Sequence, residues 1–208
     1  MYYTEKNRKS LVHFRKNEYV YRESDYCHFV YFLVEGSVQI YKNHFEKSNR
    51  ITFRLIKNEN YFGLFDLFTE NQLRIRSATV TSKTAIVQRI SVRDFSSQLI
   101  RRNEFYKEMM FGLKAYHNQL WDRIVAYGQY DIFKMIGWTL LELGVAVDHS
   151  EEILKISDYT HMLLAEYTGT CRQTITTYLN AYRKKGIIEY NRNQILINKT
   201  LMLQLIES

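Results

Sequence analysis

Short runs of apolar, β-branched and aromatic residues, separated by turn-forming residues, characterise the chain up to about residue 90. Six runs predict strands: Tyr19–Tyr21, Phe29–Val34, Ser37–Lys42, Arg50–Leu55, Ala78–Thr81 and Ala85–Ile90. Turn signals between them lie at Glu35-Gly36, His44–Asn49 and Asn58–Asn60. Many short strands with intervening turns predict a sandwich or barrel-like roll. Phe29–Val34 has few polar interruptions, which indicates a strand that is buried on both faces.

A helical period replaces this pattern after residue 92. Apolar residues recur at steps of three and four along one stripe: Phe105, Met109, Leu113, Tyr116, Leu120, Ile124 and Tyr127. The other faces carry the polar residues Lys107, Glu108, Lys114, Asn118, Asp122 and Arg123. The stripe either packs on the chain's own core or pairs with a second copy in a two-stranded coil. A length of about 25 residues favours the second interpretation.

Capping residues divide the part of the chain that follows. Gly128 predicts the end of the long helix, and Asp131 is a good N-cap for a helix over Ile132–Leu143 that stops at Gly144. A loop containing Asp148 follows, and a cap at Ser157 or Thr160 begins the next helical region.

A helix-turn-helix is predicted from the spacing of Ala165, Gly169 and Ile175. Two helices that cross near a right angle need a small residue at their contact, which Ala165 supplies. Gly169 fits the left-handed position of the short turn without strain. Ile175 then points back at the first helix, which places the second helix at about Cys171–Lys185.

The opposite face of this second helix is polar and basic. From Gly169 to Lys185 the sequence has four basic residues and no acidic one. Such side chains read base edges and contact phosphates. The candidate DNA contacts of this region are Thr170, Arg172, Gln173, Thr174, Thr176, Thr177, Asn180 and Arg183. Two short apolar runs around an Asn-rich turn follow, which predicts a wing with Arg192 at its tip.

Charge supports an anionic partner only locally. The whole chain has a net charge of +7, but the acidic and basic residues of segment 145–208 are equal in number. No run of about 18 apolar residues predicts a transmembrane helix. The polar start MYYTEKNRKSLVHF is unlike a signal peptide, so we expect a cytoplasmic protein without membrane contact.

Metal, cofactor and catalytic chemistry find little support in the sequence. The two cysteines and six histidines are scattered, and Cys27-His28 would point to opposite faces of a strand. We therefore predict no cofactor and no enzyme activity. Cys171 either fills the turn as a small residue or acts as a redox switch, because a helix N-terminus lowers a thiol pKa.

These features resemble the Crp/Fnr family of bacterial transcription regulators over nearly the whole chain. Leu33–Tyr41 is similar to that family's β-roll signature, and Phe62–Phe68 with Arg76–Ala78 is similar to its phosphate-binding cassette. The resemblance implies an α+β fold in three parts. These are a cyclic-nucleotide-binding-like β-roll sensor domain at 1–100, a dimerisation helix at 101–128 and a winged helix-turn-helix DNA-binding domain at 129–208.

The resemblance also implies an effector site, with Gly63, Leu64, Arg76, Ser77, Leu120 and Trp121 as its residues. Leu64 stands where cyclic-AMP-binding members have a ribose-binding glutamate, and Leu120 and Trp121 replace base-contacting hydroxyls. Asp66 stands where a small residue is usual, and two extra residues precede Arg76. Buried ribose hydroxyls without partners cost about 1–3 kcal/mol each, so we expect an effector other than cyclic AMP, or none.

In the recognition helix, Arg172 matches the family's guanine-reading arginine. Gln173 replaces a glutamate and Thr177 replaces a second arginine, which predicts a half-site richer in A·T. We expect a homodimeric regulator on a palindromic site, with RNA polymerase as a partner if it activates transcription. The alternative is a small-molecule-binding β-roll sensor or enzyme whose C-terminal domain makes protein contacts.

Overall fold

A computed structural model of the chain describes residues 10–43, 50–57, 59–68 and 70–208. Two compact units make up the chain, Met1–Phe111 and Gly112–Ser208. The predicted turn at His44–Asn49 lies outside the described residues, as does Asn58.

Antiparallel strands dominate the first unit. They are β1 (Leu11–Arg15), β2 (Tyr19–Tyr21), β3 (Phe29–Glu35), β4 (Ser37–Asn43), β5 (Arg50–Lys57), β6 (Asn60–Phe62), β7 (Ser77–Val80) and β8 (Thr84–Ser91). One sheet has the order β1-β8-β3-β6 and the other β2-β7-β4-β5. Residues of both sheets, among them Leu33, Val38 and Val87, form one buried core. The predicted β-roll is therefore confirmed.

Strand β3 is buried on both faces, as its apolar run indicated. Tyr31 and Leu33 belong to the core between the two sheets. Val30 points the other way, into a second core with Phe95, Phe105 and Met109. Strands β1 and β6 were not predicted; each pairs with a strand from another part of the chain, β1 with β8 and β6 with β3.

Two helices follow the strands, α1 (Val92–Arg101) and α2 (Asn103–Gln129). The Ser91 hydroxyl accepts a hydrogen bond from the backbone N–H of Asp94 at 3.1 Å, which caps the start of α1. Helix α2 has 27 residues, begins in the first unit and ends in the second, one residue beyond Gly128. The long helix is confirmed.

The predicted stripe on α2 divides between two environments. Phe105, Met109 and Tyr116 are buried, whereas Ile124 is 57% exposed. The assignment of Arg123 to a polar outer face is wrong, because only 8% of this residue is exposed. The charged guanidinium can be buried because hydrogen bonds and an aromatic ring, described below, replace its contacts with water.

The second unit combines helices with one sheet. Its elements after α2 are α3 (Ile132–Leu143), β9 (Val145–Ala146), β10 (Ile153–Ser157), α4 (His161–Thr168), α5 (Arg172–Lys184), β11 (Ile188–Tyr190), β12 (Gln194–Asn198) and α6 (Lys199–Glu207). The strand order is β11-β12-β10-β9. Asp131 caps α3 as predicted, through a hydrogen bond from the N–H of Lys134 at 2.8 Å. Thr160, not Ser157, caps α4, because Ser157 is still part of β10.

In the part of the chain that the structure describes, none of the helices combines the length and apolarity needed to cross a membrane.

Candidate nucleic-acid interface

Helices α4 and α5 form the predicted helix-turn-helix. Gly169 has a φ of 67°, and its N–H bonds to the carbonyl of Ala165, which closes α4. Ala165, Ile175 and Leu179 are at most 2% exposed. Gly169 therefore makes the predicted left-handed turn, and Ala165 is the predicted small residue where the two helices cross.

The start of α5 is capped by a thiol. The Cys171 sulfur accepts a hydrogen bond from the N–H of Thr174 at 3.5 Å and lies 3.1 Å from its hydroxyl oxygen. These bonds with Thr174 lower the pKa of the exposed Cys171 thiol, in the direction expected for a helix N-terminus. The same contact occupies the Thr174 side chain, a candidate DNA contact.

The outward face of α5 presents the candidate contacts unevenly. Arg172, Gln173, Thr177 and Arg183 are exposed. The helix is held beneath them by Tyr182, which is fully buried and donates its hydroxyl proton to the carbonyl of Phe133 on α3. Tyr182 therefore connects the recognition helix to α3.

Thr170 and Thr176 are already bonded within the unit. The Thr170 hydroxyl lies 2.9 Å from that of Thr168, and the Thr176 hydroxyl lies 2.8 Å from Nδ1 of His161. Burial, and secondarily the charge of Arg172, lower the pKa of His161, which favours the neutral form of its ring. The hydroxyls of these two threonines are therefore engaged by protein groups, and they stabilise the DNA-facing surface of α5.

Asn180 connects the recognition helix to the wing. Its Oδ1 accepts hydrogen bonds from the hydroxyl of Tyr190 on β11 at 2.9 Å and from Arg183 at 3.1 Å. The Arg183 guanidinium also stacks over the Tyr190 ring, 5.1 Å from its centre. The sequence analysis did not identify Tyr190, because a contact between a helix and a later strand leaves no local signal.

Strands β11 and β12 form the wing. Oδ1 of Asn191 accepts hydrogen bonds from the N–H groups of Asn193 and Gln194, at 2.8 and 3.1 Å, which tightens the turn. The Tyr159 hydroxyl donates to the Asn191 carbonyl at 2.7 Å. Arg192 lies between these residues, at the tip of the wing, and is exposed as expected.

The candidate effector residues of the first unit lie in and beside the cassette loop. Gly63 has a φ of 73°, and Leu64 packs against the core of Phe95 and Phe105. Arg76 stacks on the ring of Phe53, 4.5 Å from its centre. Ser77 is buried, and its hydroxyl accepts a hydrogen bond from the N–H of Glu23 at 2.9 Å.

Arg74 occupies the interior of this loop, which the sequence analysis missed. Its guanidinium donates to the carbonyl of Gly63 at 2.8 Å, to the carboxylate of Asp66 at 3.0 Å and to the carbonyl of Phe29. It also lies over the rings of Tyr21 and Tyr31, 4.3 and 5.4 Å from their centres.

Both partners of this ion pair are buried. The side chains of Arg74 and Asp66 are 1% and 5% exposed. A Cβ on Gly63 would lie 2.9 Å from the guanidinium, so the loop needs glycine at this position. One signal was present in the sequence: Asp66, an extra acid in a loop of this type, requires a cation when it is buried.

The remaining candidate effector residues, Leu120 and Trp121, belong to the second unit. Leu120 is half-buried and Trp121 is 55% exposed. The indole N–H of Trp121 donates to Nε2 of His117 at 2.8 Å. Within the described residues, no group of three or more His, Cys, Asp and Glu side chains could hold a metal ion.

Two family models match this chain. Residues 11–103 match the cyclic nucleotide-binding domain, and residues 136–206 match the Crp-like helix-turn-helix domain. A global nitrogen regulator of a Nostoc species is 24% identical, with 91% of this chain and 86% of that protein covered. An anaerobic regulatory protein of Bacillus subtilis is also 24% identical, with 88% of this chain and 78% of that protein covered.

Solved structures show the same fold. FixK2 from Bradyrhizobium japonicum matches with a TM-score of 0.79 and 17% identity, over 95% of this chain and 96% of that one. A CooA variant from Carboxydothermus hydrogenoformans matches with a TM-score of 0.78 and 17% identity, over 100% of this chain and 92% of that one. With the recognition helix and wing in place, the chain is a DNA-binding transcription regulator of the Crp/Fnr family.

Proposed function

We propose that the protein acts in the cytoplasm as a homodimer on a palindromic duplex site. Regulators of the Crp/Fnr family bind DNA and act as dimers. Two recognition helices about 34 Å apart reach successive major grooves on one side of the duplex. If the protein activates transcription, RNA polymerase is a further partner.

The exposed apolar face of α2 supports the dimer. Exposed Tyr106 and Met110 are four residues apart, and exposed Trp121 and Ile124 are three residues apart. The half-buried Leu113 and Leu120 lie along the edge of this face. Steps of three and four residues describe a coiled-coil seam, and its burial against a second copy removes apolar surface from water.

Arg172, Gln173 and Thr177 are the base-reading residues in this proposal. They are exposed on α5, whereas Thr170, Thr176 and Asn180 are bonded to protein groups. Arg172 donates two hydrogen bonds to guanine, Gln173 pairs with adenine, and Thr177 contacts a thymine methyl group. Arg183 and Arg192 contact phosphates on either side. The exposed, acid-free face of α5 is the observation that carries the proposal.

Selection from random duplex DNA tests this assignment. We expect a palindrome whose half-site keeps one G·C pair and is otherwise rich in A·T. Replacing Arg172→Ala should cost about 1–3 kcal/mol of binding free energy and relax the preference at that one base pair. The replacement Lys107→Met, on the exposed side of α2, controls for the loss of one positive charge. A selected site with the full G·C pattern of the family would contradict the assignment.

We also propose that the β-roll does not bind cyclic AMP. The Arg74 guanidinium lies inside the cassette loop, bonded to Asp66 and stacked on Tyr21. Leu64 packs into the core, so no carboxylate is available there for a ribose. Cyclic AMP at about 1 mM should therefore leave the melting temperature unchanged, because a ligand that binds the folded state raises it. A saturable rise would overturn this part of the proposal.

A further inference from the structure

Three polar residues of α2 lie on one face of the helix and reach the DNA-reading unit. Gln119, Arg123 and Tyr127 are four residues apart, which places them one above another. Their partners are Glu142 on α3 and Tyr167 on α4. All five residues belong to the unit Gly112–Ser208. We call this set the Arg123 cluster.

Arg123 makes the central contacts of the cluster. Its guanidinium donates to the backbone carbonyl of Tyr167 and lies 3.9 Å from the centre of the Tyr167 ring. Its Nε donates to the Tyr127 hydroxyl at 3.0 Å, and that hydroxyl donates to the same carbonyl at 2.8 Å. The last carbonyls of a helix have no partner within it and carry its negative dipole end. A buried cation on α2 therefore satisfies the C-terminal end of α4.

The Tyr167 hydroxyl, at the end of the side chain, makes a second contact. The Tyr167 hydroxyl donates to Oε1 of Glu142 at 2.8 Å, and the amide of Gln119 donates to the same oxygen at 2.7 Å. Burial raises the pKa of Glu142, and burial also raises the pKa of Tyr167, which keeps its hydroxyl a proton donor. Tyr167 is thus held by α2 at its backbone and by Glu142 of α3 at its hydroxyl, and Gln119 of α2 holds that Glu142 oxygen in turn.

Tyr167 lies just before the turn that leads into the recognition helix, so the contacts of Tyr167 bear on the position of that helix. Gly169 makes the left-handed turn two residues later, and α5 begins at Arg172. Hydrogen bonds are directional, and a bonded guanidinium fixes direction as well as distance. Apolar packing alone tolerates small rotations more easily.

We infer that Arg123 is a positioning residue, which sets the orientation of the recognition helix relative to the dimer helix and thereby selects the half-site spacing. This inference rests on the proposed dimeric DNA binding. In the dimer, the distance and angle between two α5 helices depend on how each is held on its own α2. Loosening that attachment widens the range of spacings that both helices can reach.

The spacing preference can be measured directly. Full-length protein would be titrated with labelled duplexes that carry two copies of the selected half-site, with the central spacer changed by one or two base pairs. One base pair rotates a half-site by about a tenth of a turn. We expect wild type to prefer one spacer by about tenfold or more, and Arg123→Met to reduce that preference to about twofold.

Two further variants make the result specific. Tyr127→Phe removes one of the two donors to the Tyr167 carbonyl and should give an intermediate preference, including if Arg123→Met fails to fold. Lys107→Met removes an exposed charge from the same helix and should keep the wild-type preference. A purely structural defect would lower affinity for every spacer by the same factor and leave the ratio unchanged.

The outcomes separate the two proposals. If wild type binds no palindromic duplex, the proposed function fails. If wild type binds with a clear spacer preference that folded Arg123→Met leaves intact, the proposed function stands and the role of Arg123 is wrong. Where Arg123→Met does not fold, an unchanged preference in Tyr127→Phe leads to the same conclusion. Wild type that binds every spacer equally also overturns the role of Arg123.

Discussion

At the scale of single residues, buried charge distinguishes this chain from a generic β-roll. Arg74 and Asp66 are both removed from water, and they form an ion pair with each other. Desolvation of two ions offsets much of their attraction, so such a pair adds little stability over an apolar pair of similar size. Removing one partner is far worse than removing both, because the remaining charge is then buried alone.

Arg74→Met should therefore destabilise the protein by about 3–5 kcal/mol, since it removes the Arg74 cation from the buried Asp66 carboxylate. Adding Asp66→Asn to this variant removes the charge and should recover part of the loss. The free energy of unfolding from urea titration measures both. Arg76→Met, which loses the stacking contact with Phe53, is the matched control and should cost much less. Equal losses for Arg74→Met and Arg76→Met would contradict the importance of the buried pair.

At the scale of elements, the sequence predicted what local rules determine. Short runs of β-branched and aromatic residues predicted β2, β3, β4, β5, β7 and β8, and the capping residues Asp131 and Thr160 predicted the starts of α3 and α4. The short strands β1, β6, β9 and β10 and helix α6 were missed. These elements depend on pairing or packing with distant parts of the chain, which local propensity does not report.

Helix α2 shows the same limit of local sequence, which does not report contacts with distant residues. Periodicity placed Arg123 with Asp122 on a polar face, but Arg123 is buried by contacts with Tyr167, which lies far along the sequence. Similarly, the candidate contacts on α5 were identified by residue type. The pattern could not indicate that Thr176 is bonded to His161 and Asn180 to Tyr190.

The turn between α4 and α5 allows a clean test of a local rule. A Cβ at Gly169 would meet nothing within 4 Å, so a side chain there causes no clash. The cost of Gly169→Ala therefore comes only from the left-handed backbone, and we expect about 1–2 kcal/mol of lost unfolding free energy. Gly169→Asn should lose less, because asparagine tolerates this conformation. Equal stability of Gly169→Ala and wild type in thermal or urea unfolding would show that the turn relaxes.

At the scale of the whole molecule, α2 belongs to both units and offers different faces to different partners. Phe105 and Met109 pack into the core of the first unit, and Arg123 joins α4 in the second. Tyr106, Met110 and Ile124 remain exposed. Packing on the chain's own core is therefore confirmed for Phe105 and Met109. Pairing with a second copy stays a prediction for the exposed face.

Ile124→Glu should turn the dimer into a monomer, because it places a charge in the proposed seam. The protomer should stay folded, because Ile124 is exposed in it. Light scattering or sedimentation would report the mass. Leu113→Glu with Leu120→Glu should do the same, but these half-buried residues risk some protomer stability as well. Asn118→Glu adds the same charge to an exposed residue of α2 that lies away from the seam, and should remain dimeric.

A monomer should bind the palindrome more weakly, because it lacks the second recognition helix. In a dimer the second half-site contact is intramolecular, and its high effective concentration raises affinity by about 10²–10⁴ over a single contact. Ile124→Glu should lose an advantage of this size on the palindrome while binding an isolated half-site as wild type does. An Ile124→Glu protein that stays dimeric would show that the copies pair through another surface. A monomer with full affinity for the palindrome would show that pairing through α2 is not what places the recognition helices on DNA.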